Sequence, residues 1–530
     1  MLRWRPLRRD AHEWIVAPRG VQALRIVWCM LILYVERLAF ARAAGRCRIP
    51  APDMGTALNV LVVTDPQIVG RDTYEDALWI LWEAARFFSD QYLRKAWRAL
   101  QGRGLGASLT AAPPAADVVV MLGDMSDRGR WYTSKERWAA LQARWHTIFS
   151  GTHIVQGGGA LGRRTAPSIP ALVVPGNHDI GLPDAATGLP TAANKEAAAW
   201  FADAYAPRVD DAFRLANTST PSWNARIPVS VDGATTTHEL VLVNALDLVS
   251  MQPLLSEPFD AGGTRFAAAK ARAPHTTRMI DLLDEEAKNQ THLPPRILFS
   301  HVPLSRGRDE HSCDVPWRTA VHGVRRESHR APVPGGDILQ GGDLLRTYQN
   351  LVQPEVSEYV LGAVQPALLF SGDDHDHCEA VHHAWRFRTA THGSVPGFGV
   401  LDVPELTVKS ISMLEGVHRP GYAWLQLSST NTVSSMEYTP CLLPDQVALW
   451  LYLYVPLFLL TLVLGLHRSM HPAPRAQLLP SHEAIPMERL GRDRRRRPVD
   501  AFAPSRLARL ARVVAMVGVV PLPFWVALQH

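Results

Sequence analysis

Cysteine is scarce in this chain, with five residues in 530. That excludes a small scaffold in which disulfides replace a hydrophobic core. No internal repeat is visible, which excludes a solenoid or a propeller. The net charge is only +5, too small to argue by itself for a polyanionic partner. Charged residues make up 20% and apolar ones 47%, the balance of a folded chain and not of a disordered one. At 530 residues there is room for one large domain or two to three ordinary ones.

Long apolar runs are few, and their placement matters. Val447 to Leu466 is about twenty residues without a charge, long enough to cross a hydrocarbon core; Pro456 within it is tolerated in such a helix. Ile26 to Val35 is shorter and lies between Arg25 and Glu36. Ala41-Arg-Ala43 resembles a signal-peptide cleavage site, but the long basic stretch ahead of it favours an uncleaved signal anchor over 26–45. Val513 to Leu528, interrupted by Pro521 and Pro523, is a third candidate span, with an interfacial helix as its alternative. Arginines crowd both flanks: Arg3, Arg5, Arg8 and Arg9, then Arg492, Arg494 to Arg497, Arg506, Arg509 and Arg512. Nucleic acid would be one reading of such clusters. Beside apolar runs they read as positive-inside flanks, and no nucleic-acid partner is expected.

The expected organisation follows. Residues 1–25 form a basic cytosolic N-terminus, and 26–45 a transmembrane anchor. Residues 56–427 form a catalytic domain on the far, lumenal side. Residues 447–466 cross back, 467–512 are an Arg/Pro-rich cytosolic segment without fixed structure, and 513–528 are the third candidate span. Two sequons, Asn217-Thr-Ser219 and Asn289-Gln-Thr291, agree with a lumenal address. So does the even number of cysteines, four, between Arg46 and Pro444, the whole stretch expected on that side.

Five short segments hold the chemistry. They are Asp65-Pro-Gln67, Gly123-Asp124-Met-Ser-Asp127-Arg-Gly129, Gly176-Asn177-His178-Asp179, Ser300-His301 and Gly372-Asp373-Asp374-His375-Asp376-His377. Apolar runs precede four of them: Leu61 to Val63, Val118 to Leu122, Leu172 to Val174, and Ile297 to Phe299. Each therefore sits where a buried parallel strand should end, the edge of an open α/β sheet at which ligands collect. Later runs read as strands at Trp385 to Ala390, Gly399 to Val403, Thr407 to Met413 and Tyr422 to Leu427. Thr73 to Leu100 has helical spacing. Gln101 to Ala116 and Gly157 to Pro170 read as surface loops, and Arg306 to Gln340 as a polar insertion that either lines the entrance or is simply solvated.

Phosphoryl transfer needs charge neutralisation and an activated water, and two cations supply both. Hard cations take carboxylate, amide and imidazole ligands. Asp124 suits a carboxylate shared by two ions. Asn177 offers an amide oxygen, His301 and His375 offer imidazoles, His392 is a further candidate, and Asp65 begins the set.

This pattern resembles the calcineurin-like metallophosphoesterase superfamily, whose motifs run Asp-x-His, Gly-Asp-x-x-Asp, Gly-Asn-His-Asp/Glu, a lone His, and Gly-His-x-His. Two positions depart: Gln67 stands for the first His and Asp373 for the first His of the last motif. Both can ligate through oxygen, which makes the site harder and more manganese-like. A narrower resemblance accounts for the departures. The fungal endoplasmic-reticulum metallophosphoesterases that trim ethanolamine phosphate from GPI anchors share Tyr34-Val-Glu-Arg37 followed by Cys47, Asp65-Pro-Gln-Ile68 and Leu122 to Arg130. They also share Ser371 to Cys378, Val408 to Met413, Arg419-Pro-Gly421 and Cys441-Leu-Leu-Pro444.

The resemblance implies a four-layer α/β/β/α sandwich with flanking transmembrane helices. It also implies manganese-dependent hydrolysis of a GPI ethanolamine-phosphate ester in the endoplasmic reticulum membrane or early Golgi. The substrate would be a GPI glycolipid or GPI-anchored protein. By the same resemblance Asp65, Gln67, Asp124 and His375 hold one metal, and Asp124, Asn177, His301 and Asp373 the other. His178 faces the leaving oxygen and Asp179 orients it. Two rival readings stand beside this one: another lipid or nucleotide phosphoesterase of the same fold, and a catalytically weak membrane adaptor.

Among the remaining residues, Asp127 is expected to brace its loop and His377 to take an outer or surface position. His382 and His383 are expected in solvent, and Arg130 to contact phosphate or form a salt bridge. Spacing alone does not fix disulfide connectivity. Cys47 and Cys441 both lie near the lumenal end of an expected span, and Cys313 and Cys378 both near the motifs, so Cys47–Cys441 and Cys313–Cys378 are the expected pairs. Cys29 is expected to be unpaired.

Overall fold

The computed structural model describes residues 19–47, 49, 57–70, 73, 78–103, 113–127, 134–155, 160–183, 192–206, 223–233, 235–251, 264–290, 293–306, 351–388, 397–417, 419–429, 436–470 and 506–529. Arg130, Cys313, His392, the sequon at Asn217 and the arginine-rich segment lie outside them. Two compact units form: Leu38–Gln446, and a helical unit drawn from 1–37 and 447–530.

Among the described residues the larger unit has twelve strands: β1 Ala57–Val63, β2 Val118–Met121, β3 Thr152–Ile154, β4 Ile169–Val173, β5 Ala225–Val229, β6 His238–Leu242, β7 Arg296–Phe299, β8 Leu368–Ser371, β9 Cys378–Arg388, β10 Gly397–Thr407, β11 Gly421–Ser428 and β12 Met436–Leu442. They make two six-stranded sheets, ordered β12-β11-β1-β2-β4-β3 and β5-β6-β7-β8-β10-β9. β1, β2 and β4 run parallel in the first, and β6, β7 and β8 in the second.

Period-2 alternation explains the layering. One face of each sheet buries Leu58, Val60, Val62, Val118, Val120 and Leu172 together with Ile227, Leu240, Leu242, Ile297, Phe299 and Phe370. This is the core between the sheets. The opposite faces bury Leu61, Val63, Val119, Met121, Val241, Leu298 and Leu369 with helical residues such as Tyr92, Trp97, Trp145, Ile280, Leu283 and Val360. Those helices are Trp79–Leu100, Lys135–Ile148, Pro274–Asn289 and Pro354–Val364. Each fully buried Leu, Ile or Phe contributes about 1.5–3 kcal/mol of transfer free energy. The α/β/β/α expectation is met by these layers.

One expected strand is corrected, and the two shorter candidate spans are described as they fold. Thr407–Met413 is not a strand: β10 ends at Thr407, and the following residues form a buried irregular crossing. Their backbone bonds go to loops: Val408 N to Ser371 O at 2.8 Å, Ser410 N to His375 O at 3.0 Å, and Ile411 N to Thr64 O at 3.1 Å. The expected anchor over 26–45 divides between the units. Arg19–Leu33 and the π-helical turn Tyr34–Leu38 are followed by Ala39–Arg46, but Phe40 and Ala44 are buried in the core of the larger unit. The stretch 513–528 breaks into Arg506–Gly518 and Pro521–Gln529, at the proline that cannot continue the first helix. Among the described residues one helix, Gln446–Arg468, is long and apolar enough to cross a membrane.

Within the helical unit the hydroxyl of Tyr454 donates to Glu36 at 2.9 Å and Trp28 Nε1 to Thr461 at 3.0 Å. In the larger unit Cys47 and Cys441 are disulfide-bonded, with Cα atoms 5.7 Å apart. Cys378 is disulfide-bonded too, and its expected partner lies outside the described residues. Cys29 is free.

Candidate metal centre

The five motifs leave the parallel strands at one edge. The first two loops continue the pairing of β1 and β2: Asp65 N donates to Gly123 O at 3.2 Å, Gln67 N to Asp124 O at 2.9 Å, and Ile68 N to Met125 O at 3.2 Å. In the other sheet Gly372 N donates to His301 O at 2.8 Å. Asp65, Gln67, Asp124, Asp373 and His375 all have positive φ. Only one other described non-glycine residue, Gln365, does so. Such conformations cost roughly 1–2 kcal/mol each for an L-residue and persist at sites whose surroundings enforce them. Here the left-handed bend turns each side chain back across the strand end.

Glycines let the loops close on one another. A Cβ on Gly176 would stand 2.0 Å from Asp124 Oδ1, and one on Gly372 2.1 Å from the Thr64 hydroxyl.

The side chains gather in two groups that share Asp124. Asp124 Oδ2 lies 3.3 Å from Gln67 Nε2. The same Gln67 nitrogen is 2.8 Å from His375 Nε2, which is 3.9 Å from Asp65 Oδ1. Asp124 Oδ1 lies 3.3 Å from His301 Nε2. That nitrogen is also 3.2 Å from Asn177 Oδ1 and 3.6 Å from Asp373 Oδ1. The seven expected ligands lie close together around Asp124, and Asp65 gathers with Asp124 and His301 as well as with His375. Gln67 presents its amide nitrogen, so ligation through oxygen requires a half-turn of that amide.

Burial makes the centre electrostatically tense. Asp65, Asp124, Asn177 and His301 are fully buried, and Asp373 nearly so. Burial, with the neighbouring Asp124 adding to it, pushes Asp65 up to about 8 despite His301. Burial also pushes Asp373 up. For Asp124 burial would do the same, but His301 and His178 outweigh it and hold this carboxyl below its ordinary range. Burial would lower His301, yet the Asp124 carboxylate holds it well above its ordinary value. Oδ1 of Asp65 and both carboxylate oxygens of Asp373 are buried and accept no hydrogen bond. Three carboxylates, two imidazoles and two amides with such acceptors fit divalent cations. Ligand atoms of Asp65, Asp124 and His301 lie within 4.8 Å of one another.

His178 sits at the rim, its side chain 17% exposed. Its backbone N–H donates to Asp124 Oδ1 at 2.8 Å, and its Nδ1 donates to the Asp127 carbonyl. That fixes the tautomer and leaves Nε2 as the proton-exchanging atom, 4.0 Å from Asp124 Oδ2. Asp127 thus braces the loop through its carbonyl, as expected. Asp179 departs from its expected role. Its carboxylate accepts Gly176 N at 3.0 Å and Ser126 N at 3.2 Å, tying the second motif to the third; the imidazole is oriented by Asp127 instead. Burial and the Asp124 charge push Asp179 up to about 7.

Around the fifth motif, Arg306 pairs with Asp374 at 3.0 Å and Lys409 with Asp376 at 2.9 Å. His377 is fully buried with Glu379 3.3 Å away, so it takes the outer position and not the surface one. His382 corrects its expectation. It is buried and 2.5 Å from Glu405 Oε2, whereas His383 points to solvent beside Asp402. Alternation along β9 sends the two adjacent histidines to opposite faces.

Sequence reasoning missed Glu415, whose carboxylate faces Nδ1 of His375 at 3.6 Å. It belongs to no motif, and only the crossing after β10 brings it to the site.

Comparison with known proteins gives the family. The calcineurin-like phosphoesterase model matches residues 58–377. The chain is 26% identical over 465 residues to cell division control protein 1 of Saccharomyces cerevisiae, an alignment covering 85% of this chain and 74% of that one. It is also similar to the purple acid phosphatase PPD1 from yellow lupin seeds, with TM-score 0.33 and 10% identity, covering 73% of this chain and 55% of that one. GAP50, the anchor in the inner membrane complex of Plasmodium, gives TM-score 0.32 and 12% identity, covering 76% of this chain and 95% of that one. Neither structural likeness is strong enough to carry an argument. The family match spans all five motifs, and the chain belongs to the calcineurin-like phosphoesterase family as a metal-dependent phosphoesterase.

Proposed function

We propose that this protein is a two-metal phosphodiesterase that removes ethanolamine phosphate from a mannose of GPI anchors, with its catalytic unit in the endoplasmic-reticulum lumen. The observation that carries the metal arrangement is the divided carboxylate of Asp124. Its Oδ2 faces Gln67 and its Oδ1 faces His301, so one side chain serves both ligand groups. The substrate class is supported by the resemblance of the ordered motifs, including Gln67 and Asp373 where the superfamily pattern has histidine. Membrane tethering by Gln446–Arg468 suits a lipid-anchored substrate.

Two divalent ions bound at these ligands, manganese in this proposal, would neutralise phosphoryl charge and acidify a water. The chain's own residues do the rest. His301 donates its Nδ1 proton to the Leu122 carbonyl at 2.6 Å, which turns Nε2 toward Asp124, Asn177 and Asp373. His178, fixed by the Asp127 carbonyl, holds its Nε2 proton for the departing mannose oxygen. Asp179 keeps the His178 loop against the Asp124 loop.

Mass spectrometry of GPI glycans from cells lacking the protein tests this reading. The expected result is one extra ethanolamine phosphate and slower export of GPI-anchored proteins. Unchanged glycans with an accumulating nucleotide or phospholipid would replace the substrate class. Normal growth restored by Asp124→Ala, with nothing accumulating, would favour the adaptor. For topology, protease added to sealed microsomes should spare the catalytic unit and cut near Arg494.

A further inference from the structure

The helix Trp79–Leu100 is two helices in character. Its second half belongs to the core, where Tyr92, Leu93, Ala96 and Trp97 are fully buried. Its beginning is apolar and open to solvent: Leu78 is 68% exposed, Trp79 75%, Ile80 57% and Leu81 60%. Phe87 and Phe88, packed edge to face at 5.3 Å, are partly exposed on the next turns. Four consecutive exposed apolar residues are not an amphipathic face awaiting its own core. A contiguous apolar patch of this kind marks an interaction surface.

Two observations identify the occupant. The same helix is bonded to the point where the chain departs for the membrane. The Tyr92 hydroxyl donates to Pro444 O at 2.9 Å, and Lys95 Nζ donates to Gln446 Oε1 at 2.9 Å. Gln446 is the first residue of the helix Gln446–Arg468, which is long and apolar enough to cross a membrane. Trp79 lies sixteen residues from Lys95, about 24 Å along the axis at 1.5 Å per residue. A helix lying along the bilayer surface from that departure point would bring its apolar start to the same surface. The second observation is chemical. The only charged residues in the described part of the first turns are Glu83 and Arg86, and they neutralise each other at 2.6 Å. Arg86 also covers the ring of Trp82 at 5.3 Å. Glu75 and Asp76 precede the patch in the sequence; the helical part is neutral, and with tryptophan at its edge it matches the headgroup boundary of a zwitterionic bilayer.

We propose that Leu78–Leu81 inserts into the surface of the bilayer that Gln446–Arg468 crosses, and so holds the catalytic edge against that surface. The connection to the site is short. Trp82 Nε1 donates to Gly70 O at 2.7 Å, and Gly70 lies three residues beyond Gln67. Insertion concerns the membrane and not the substrate, so it stands or falls apart from the GPI reading.

The test uses the full chain in phosphatidylcholine nanodiscs, in a Cys29→Ser background, with an environment-sensitive fluorophore on Leu81→Cys. A second variant, Glu136→Cys, places the label on an exposed part of the catalytic unit. Retained hydrolysis of bis(p-nitrophenyl) phosphate certifies folding of each. The expected result is a blue-shifted label at 81 that loses intensity to headgroup-proximal doxyl lipid and resists aqueous iodide, with the reverse at 136. A label at 81 open to iodide and untouched by doxyl lipid overturns the proposal. Shielding from both quenchers overturns it too, in favour of a second copy or another segment of protein on this face. Trp79→Ser with Leu81→Ser supplies an independent measurement. It should lose membrane quenching of a label at position 80 (Ile80→Cys) while hydrolysing the soluble diester at the original rate; unchanged quenching there would also overturn the proposal.

Discussion

The carboxylate of Glu415 stands 3.6 Å from Nδ1 of His375, the ring nitrogen that Gln67 does not face. Nε2 of the same ring is 2.8 Å from Gln67 and points toward Asp65. A carboxylate on the far nitrogen of a ligating histidine fixes its tautomer and raises its basicity, and loss of such a partner typically costs 10–100-fold in metal affinity. Glu415→Gln should therefore weaken divalent-ion binding by about 10–100-fold with an unchanged melting temperature in excess metal. Metal titration followed by elemental analysis checks this, and wild-type affinity would remove Glu415 from the site.

Asp124→Asn keeps the shape of the side chain but removes the charge shared by both ligand groups. Hydrolysis should fall by more than about 100-fold, beyond the range seen for outer partners of a ligand. Metal content should fall with it, while the far-ultraviolet circular dichroism stays as in wild type.

Gly176→Ala is expected to be worse than its size suggests. The new Cβ would meet the Asp124 backbone nitrogen at 2.4 Å as well as its carboxylate, so a loop must move and not merely a flexible side chain. The outcome should be loss of activity together with a destabilisation of about 1–3 kcal/mol, the usual cost of overpacking. Denaturant unfolding of the full chain in detergent reads the second effect.

Acid should destabilise the catalytic unit through a residue far from the motifs. His238 is fully buried at the start of β6, and burial holds its pKa down at about 4, against 6.5 for the free side chain. As pH falls through 6.5 the unfolded chain takes up a proton that the folded chain refuses until about 4. The contribution is thus complete above 6.5 and lost across that window, roughly 3 kcal/mol in all. His238→Gln should flatten the pH dependence of the unfolding midpoint between those limits.

Much of the fold and of the candidate site was legible in the sequence, for a physical reason. Strands buried on both faces must be continuously apolar, so Val118 to Leu122 or Ile297 to Phe299 announce both themselves and the loops that follow. The misreadings share a cause. Val408 and Ile411 are β-branched and buried, and nothing in their sequence says that their backbone bonds go to loops instead of a strand. Val35 and Phe40 both fall in the expected anchor over 26–45, yet Phe40 packs against Tyr92 at 5.2 Å in the larger unit, a partner fifty-two positions away. Pro228 interrupts the run that becomes β5, and the tolerance of an edge strand for proline hid that strand. Glu415 and the real partner of His178 depend on crossings between loops, which periodicity cannot report.

The disulfide between Cys47 and Cys441 closes a loop of 394 residues, and this has a mechanical consequence. Tension along the apolar helix Gln446–Arg468 enters the larger unit at Gln446, reaches Cys441 at the end of β12, and can pass through sulfur to Cys47. Beyond the end of β12 it need not run through either sheet. A single proteolytic cut anywhere between the two cysteines likewise leaves both fragments covalently joined to each other and to the same tether. The enzyme can be nicked in its exposed loops without being shed.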